Sequence, residues 1–263
     1  MMFRDLESMD LAEFIRRGRA PGALWGFVHI PKTAGVALMG ALAGRRRPYF
    51  NIFPKAYRDD PDEHRAALVE AVEAFLAAYA NRAPDAGPGL FSGHLERSQI
   101  DSILDATPDL RLVTYLRDPV DRAISHYRYC LTPEHPLHAA FAKRFPTLMD
   151  FVAARRNFQS KFIVGADVSS VDQAVDFISR RFALVGTTEM YAFSNRTLAG
   201  LLGLPPFETP RLNVTRSISA NDIEVTEATR QAIAEINHLD VAVYRYVAGL
   251  LARQLDSRAE SSA

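Results

Sequence analysis

"FVHIPKTAGVAL", Phe27 to Leu38, decides how the rest of the chain is read. An apolar run (Phe27, Val28, Ile30) breaks at Pro31, Lys32 and Thr33 follow at once, and Gly35 opens a stretch from Val36 to Met39 with the makeup of a helix start. Strand, turn and helix in this order predict a loop at the carboxyl end of a strand. In an open α/β sheet ligands bind there, and a turn entering a helix offers free N–H groups and a positive dipole end to an anion. Lys32 adds a mobile cation and Thr33 a hydroxyl, while Gly35 lets the backbone come close to a phosphate. The lysine precedes the glycine, and no G-K-[ST] occurs anywhere in the chain, so this is not the Walker A loop of ATP and GTP proteins. Standing alone, the same residues also describe a plain proline–glycine turn with an exposed lysine.

The surroundings of that turn set its meaning. A chain of 263 residues, 48% of them hydrophobic, can bury a substantial core. Its 31 basic and 31 acidic residues cancel, which argues against wholesale binding to nucleic acid or anionic lipid. The single cysteine, Cys130, excludes an internal disulfide. The N-terminal stretch carries charges where a signal peptide needs an apolar run, and nothing approaches the roughly 18 apolar residues of a membrane span, so a cytoplasmic location is expected.

Strand-like and helix-like runs alternate, the habit of a mostly parallel sheet covered by helices, and the fold class expected is α/β. Strands are read at 24–30, 90–94, 110–117 and 182–188. Helices are read at 61–82, where Leu68, Val72, Phe75, Leu76 and Tyr79 share a face, and after Pro119 and Glu189. Residues 226–255 form a long amphipathic closing segment. Residues 131–160 and 204–222 read as irregular, and such loops carry specificity in α/β proteins. The whole reads as one domain spanning 1–263, with its core at about 24–255 and a disordered end after 255.

A second anion site is suggested by "YLRDPVDRAISHY". Arg117 at a strand end offers a planar fork suited to phosphate, Asp118 can hold that fork, and Ser125, about two turns along the next helix, can supply a hydroxyl to the same anion. The alternative is a salt-bridged strand end with Asp118 as a helix cap.

Together these segments resemble the sulfotransferases that use 3′-phosphoadenosine-5′-phosphosulfate (PAPS), in the carbohydrate branch that includes heparan sulfate 2-O-sulfotransferase and many bacterial relatives. "HIPKTAG" is similar to that family's 5′-phosphosulfate loop, which implies donor contacts from Lys32, Thr33, Ala34, Gly35, Val36 and Ala37. "RDPVDRAISHY" resembles its 3′-phosphate element, whose arginine and serine fall on Arg117 and Ser125. "SGHLE" is similar to the segment with the catalytic histidine, here His94, and "NFQSKFIVG" (157–165) to an "N-x-Q-[ST]-[RK]" stretch. "RLNVTRS" (211–217) resembles the loop that closes over the nucleotide, implying contacts from Arg211, Asn213 and Thr215, and "INHLDVAVYRY" fits the final helix. The resemblance implies a P-loop-like, three-layer nucleotide-binding fold akin to nucleotide kinases. It also implies a PAPS donor leaving adenosine 3′,5′-bisphosphate (PAP), and a carbohydrate or glycoconjugate acceptor.

Sulfuryl transfer needs the attacking hydroxyl and leaving phosphate held in line, and charge on the leaving oxygen neutralised. Lys32 is the candidate for the second task and His94 the candidate general base, a histidine pKa of about 6.5 being suited to it. A lone histidine after a strand also serves as a hydrogen-bonded structural residue. His29 is expected to pack or orient, His126, His135 and His138 lie in or beside an acceptor loop, and His135 is the rival base. No histidine–carboxylate grouping has metal-ligand spacing, and no metal is expected. Arg144, Arg155, Arg156 and Lys161 form a basic stretch, either a solvated face or a contact for an anionic acceptor. One departure stands out: the family's loop continues with hydroxyl residues where this chain has Val36 and Ala37. That admits a relative that binds nucleotide weakly or has lost the reaction.

Overall fold

The computed structural model describes residues 1–54, 61–83, 85–209 and 219–260. Five strands form one parallel sheet in the order β2-β3-β1-β4-β5, with β1 (Trp25–Val28) in the centre. β3 (Leu90–Gly93) and β4 (Arg111–Leu116) flank it, β2 (Tyr49–Ile52) is one edge and β5 (Phe182–Thr187) the other. The expected parallel α/β architecture is therefore present, with one strand more than the sequence suggested. β2, "YFNI", is a four-residue, half-exposed edge strand, too short and too mixed to show an apolar run. β1, β3 and β5 are buried throughout, as strands covered on both faces must be.

Before β1 come a 3₁₀ turn at Phe3–Glu7 and α1 (Leu11–Gly18); after it, α2 (Gly35–Ala43) and α3 (Pro61–Ala80). The apolar face of α3 packs as expected, with Phe75 5.0 Å from Phe91 and 5.2 Å from Phe50 between ring centres. α4 (Arg97–Ala106) follows β3, and α5 (Pro119–Cys130) follows β4. The stretch read as irregular, 131–160, contains α6 (His138–Arg144) and α7 (Leu148–Ala154), and the first turn of α8 (Phe158–Val164). The first two are only seven residues long, below the length at which periodicity shows. α9 (Val171–Arg181) leads into β5 and α10 (Tyr191–Leu202) leaves it. The closing segment divides at Asn237 into α11 (Glu227–Ile236) and α12 (His238–Glu260), so helix continues past residue 255.

The core also starts before residue 24. Phe3, Leu6, Leu11 and Phe14 belong to the main cluster of buried residues, and Gln254 donates to the carbonyls of Leu6 and Met9 at 2.9 and 3.0 Å. The register matters most for function: Val28 pairs with Gly93 on one side and Thr114 on the other. The residues that follow β1, β3 and β4 therefore leave the sheet at the same edge.

Candidate functional site

The turn after β1 is held open by its own backbone. Lys32 (φ 73°) and Ala34 (φ 61°) are left-handed while Thr33 between them is not, an alternation that turns successive N–H groups to one side. Non-glycine residues adopt that conformation at a cost of about 1 kcal/mol each, and such strain gathers at ligand clamps. Thr33 is completely buried, and its hydroxyl donates to the carbonyl of Ile30 at 2.9 Å. Its hydroxyl shapes the turn. Gly35 has a reason that the sequence did not show: a Cβ there would lie 2.2 Å from His29 Cδ2 and 2.4 Å from Nε2. The glycine makes room for an imidazole beneath the loop. Val36 is half exposed at the start of α2, whereas Ala37 is buried in the core, so only one of the two substituted loop positions faces solvent.

Lys32 is half-buried, and burial followed by the charge of Arg117 lowers its pKa. Its ammonium lies 4.3 Å from the centre of the Tyr129 ring. Arg117 reaches across from the end of β4, its Nη1 donating to the carbonyl of Lys32 at 3.4 Å. Arg117 thus lies against the Lys32 turn, near enough for its charge to lower the lysine's pKa, and among the described residues neither cation forms an ion pair with a carboxylate. Asp118 does not hold the Arg117 fork. Its carboxylate accepts from the N–H groups of Val120 and Asp121, both at 3.0 Å, as the N-cap of α5 with Pro119 in the first turn. Ser125 is half-buried on the same helix.

What fixes Arg117 is Gln159. The Gln159 amide brackets the arginine's main chain, its Oε1 accepting from Arg117 N–H at 3.0 Å and its Nε2 donating to Arg117 C=O at 2.9 Å. Asp240 in turn fixes the start of α8, accepting from the N–H groups of Gln159 at 3.0 Å and Ser160 at 2.7 Å. Asn157, left-handed at φ 53°, donates its N–H to Asn237 Oδ1 at 2.8 Å and accepts from Leu239 N–H at 3.1 Å. Burial raises the pKa of Asp240 despite these donors and the charge of Arg122. Sequence reasoning quoted the stretches that hold Gln159 and Asp240 but gave neither residue a role. The usable signal was a set of polar residues, Asn157, Gln159, Asn237 and Asp240, in two otherwise apolar segments.

His94 follows β3 and bonds to the chain that bears Lys32. Its Nδ1 lies 2.6 Å from the carbonyl of His29, which can only accept, so Nδ1 carries the proton and the neutral ring keeps its lone pair on Nε2. The ring stacks on His29 at 4.4 Å and meets the edge of Phe53 at 4.9 Å. Burial lowers the pKa of His94, only partly offset by that carbonyl bond. His29 is buried more completely, its pKa pushed down to about 3 by burial and by His94.

The other histidines fall elsewhere. His126 accepts from Arg122 Nη1 at 3.2 Å and is held far below its ordinary pKa by burial. His135 accepts at Nδ1 from Leu137 N–H at 3.3 Å and sits edge-on to Tyr129, 5.7 Å between ring centres, while His138 heads α6. Cys130, raised to about 12 by burial, is no nucleophile. Arg211, Asn213 and Thr215 lie outside the described residues. Among the described residues no group of three or more His, Cys, Asp or Glu is arranged to hold a metal ion, and no helix is long and apolar enough to cross a membrane.

No protein-family profile and no curated protein sequence matches the chain. Among solved structures it is similar to the crystal structure of a sulfotransferase from Alicyclobacillus acidocaldarius. The TM-score is 0.51 and the identity 16%, over 84% of this chain and 94% of that one. The mouse sulfotransferase SULT7A1 complexed with PAP aligns over 88% of this chain and 69% of its own, at 15% identity and a TM-score of 0.39. The first likeness shows a shared fold, the P-loop-like parallel α/β architecture of a sulfotransferase.

Proposed function

We propose that this protein is a PAPS-dependent sulfotransferase acting on a hydroxyl of a carbohydrate or glycoconjugate. The observation that carries the reading is the contact of the Arg117 guanidinium with the Lys32 turn, which sets two cations without a carboxylate partner among the described residues near one another, at a left-handed turn on the carboxyl edge of a parallel sheet. Opposed like charges in a half-buried site are costly until an anion joins them, and a nucleotide with separate 5′ and 3′ phosphates supplies one for each. PAPS brings the sulfuryl group and a phosphate leaving group. Lys32 neutralises charge on the departing phosphate oxygen, and Arg117, with Ser125, holds the 3′-phosphate.

His94 serves as the base. Nδ1–H is tied to the His29 carbonyl, so Nε2 is the free basic atom, and it takes the proton of the acceptor hydroxyl as that oxygen bonds to sulfur. The bond from sulfur to the phosphate oxygen breaks in the same transfer, leaving PAP. His29 does not compete for the proton, since burial keeps it neutral to about pH 3.

Calorimetry with PAP and with AMP tests the reading. PAP is expected to bind in the micromolar range, about −8 kcal/mol, with AMP clearly weaker for want of the 3′ group. Arg117→Ala is expected to cost PAP about 1.5 to 3 kcal/mol and to erase its advantage over AMP. Equal affinities for PAP and AMP in the wild type would remove Arg117 and Ser125 from the site.

A further inference from the structure

Of the basic stretch read in the sequence, Arg144 is exposed and stands apart, while its other three members border a cavity. Arg155, Arg156 and Lys161 line a cavity of about 680 Å³ between the start of α4, the end of α7 and α8, together with Arg65, Arg97 and the ring of Phe158. Two of its cations are already used. Arg65 pairs with Asp62 at 2.8 Å, and Arg97 pairs with Asp101 while donating to the Val164 carbonyl at 3.1 Å. Arg155, Arg156 and Lys161 form no ion pair among the described residues. On the acidic side Asp101 is taken, Glu96 stands at the N-cap of α4, and Asp167 remains. Cations outnumber the acids that remain.

The cavity adjoins the proposed reaction site through the segment that follows β3. Glu96 on its rim is two residues beyond His94, and Phe158 in its wall contacts the His126 and Arg122 side chains at 5.7 and 4.6 Å. The charges of Arg155 and Lys32 both lower the pKa of Cys130 and of His126, beside the larger effect of burial. Yet the cavity is walled by Arg65 of α3 and by segments between β3 and α9, and neither the Lys32 turn nor Arg117 lines it. A nucleotide held by Lys32 and Arg117 leaves it free.

We propose that this cavity binds an anionic group of the acceptor, a carboxylate, phosphate or sulfate ester carried on the sugar whose hydroxyl faces His94. Arg155 and Arg156 supply forked donors, Lys161 a point charge, and Phe158 an apolar face for the ring. The cavity as an anion site stands on its own lining; the occupant as acceptor rests on the sulfuryl-transfer reading.

The test titrates the protein with sucrose octasulfate, a compact polyanionic sugar, and with sucrose as its neutral counterpart, each with and without saturating PAP. Octasulfate is expected to bind in both conditions and sucrose in neither. The double variant Arg155→Ala/Arg156→Ala, altered at two exposed positions, is expected to lose at least tenfold in octasulfate affinity while keeping PAP affinity within twofold. Lys161→Ala is expected to lose several-fold more selectively still. Octasulfate binding that is absent, unchanged in both variants, or abolished by PAP overturns the proposal. If PAP itself fails to bind the wild type, the donor reading falls, and the arm without PAP still decides whether the cavity takes an anion.

Discussion

Gly35 and His29 show how a single atom's absence sets the site. Any side chain at 35 runs into the imidazole of His29, whose carbonyl fixes the His94 tautomer, so the glycine protects the proposed base through the ring beneath it. Gly35→Ala is expected to destabilise by at least the 1 to 3 kcal/mol typical of overpacking. The companion change His29→Ala opens the space, and the double variant is expected to recover part of that loss in denaturant titrations; strict additivity would show that the clash is relieved some other way. His29 also makes a pH signature. Its folded pKa, about 3, lies below its ordinary 6.5, so the unfolded chain takes up more protons in that window. Stability is full above pH 6.5 and is lost as pH falls, at up to about 1.4 kcal/mol per pH unit. His29→Phe keeps a ring in place and is expected to flatten that slope. His94 shifts in the same direction, which for a base means that the neutral, proton-accepting form persists below pH 6.5. The acid limb of the rate profile is expected to fall below that value. His94→Ala is expected to lower turnover by about 10² to 10⁴ while PAP affinity holds; a parallel loss of PAP affinity and melting temperature would mark a structural histidine.

Two elements distant in sequence, α8 and α12, act on β4 through one amide. Asp240 anchors the start of α8, Gln159 in its first turn brackets the backbone of Arg117, and the guanidinium then lies against the Lys32 turn. Gln159→Ala leaves the two polar groups of Arg117 without that partner. It is expected to cut the preference for PAP over AMP by about tenfold, the scale of one or two ordinary hydrogen bonds, with AMP binding unchanged. A merely structural role would weaken both nucleotides alike. This latch illustrates where sequence reading stopped. The β1 turn, β4 and α5 were legible because each is local: an apolar run, a proline in the first helical turn, a capping aspartate. The partner of Arg117 lies 42 positions away and that of Gln159 another 81, and no periodicity encodes such pairs. Local pattern likewise did not separate the two roles offered for Asp118; the hydrogen bonds assign it to the cap. Thr33 was read as a donor to phosphate because a hydroxyl in a turn has no visible orientation in sequence, and burial turned it inward.

Taken as a whole, the molecule keeps the packing of its N-terminal segment apart from the proposed site. The proposed site occupies the carboxyl edge of the three central strands, whereas the first eighteen residues pack against the β5 side of the sheet, with the 3₁₀ turn on α9 and β5 and α1 on α10. The chain's ends are joined there: Gln254 donates to two carbonyls of the N-terminal segment, and Tyr246 donates to Glu7 at 2.7 Å. Sequence reading put the start of the core near residue 24 because the early apolar residues are spaced by charges, as on any surface helix. In the structure Phe3 and Phe14 are fully buried, a contribution visible only once β5, α9 and α10 are in place. Phe14→Ala is therefore expected to cost about 3 to 5 kcal/mol, the range for emptying a buried aromatic site. In a chain of this size that lowers the melting temperature by about 2 to 4 °C for each kcal/mol. Below the new midpoint, PAP affinity per folded molecule is expected to match the wild type, because α1 packs chiefly on α10 and the 3₁₀ turn. Saturating PAP at about 100 times its Kd restores about 2.7 kcal/mol to wild type and variant alike, so the two melting curves shift up together. A variant whose midpoint no longer responds to PAP would show that the N-terminal segment reaches the site after all, through α10 and the Tyr191 hydroxyl that donates to Ala34 at 3.3 Å.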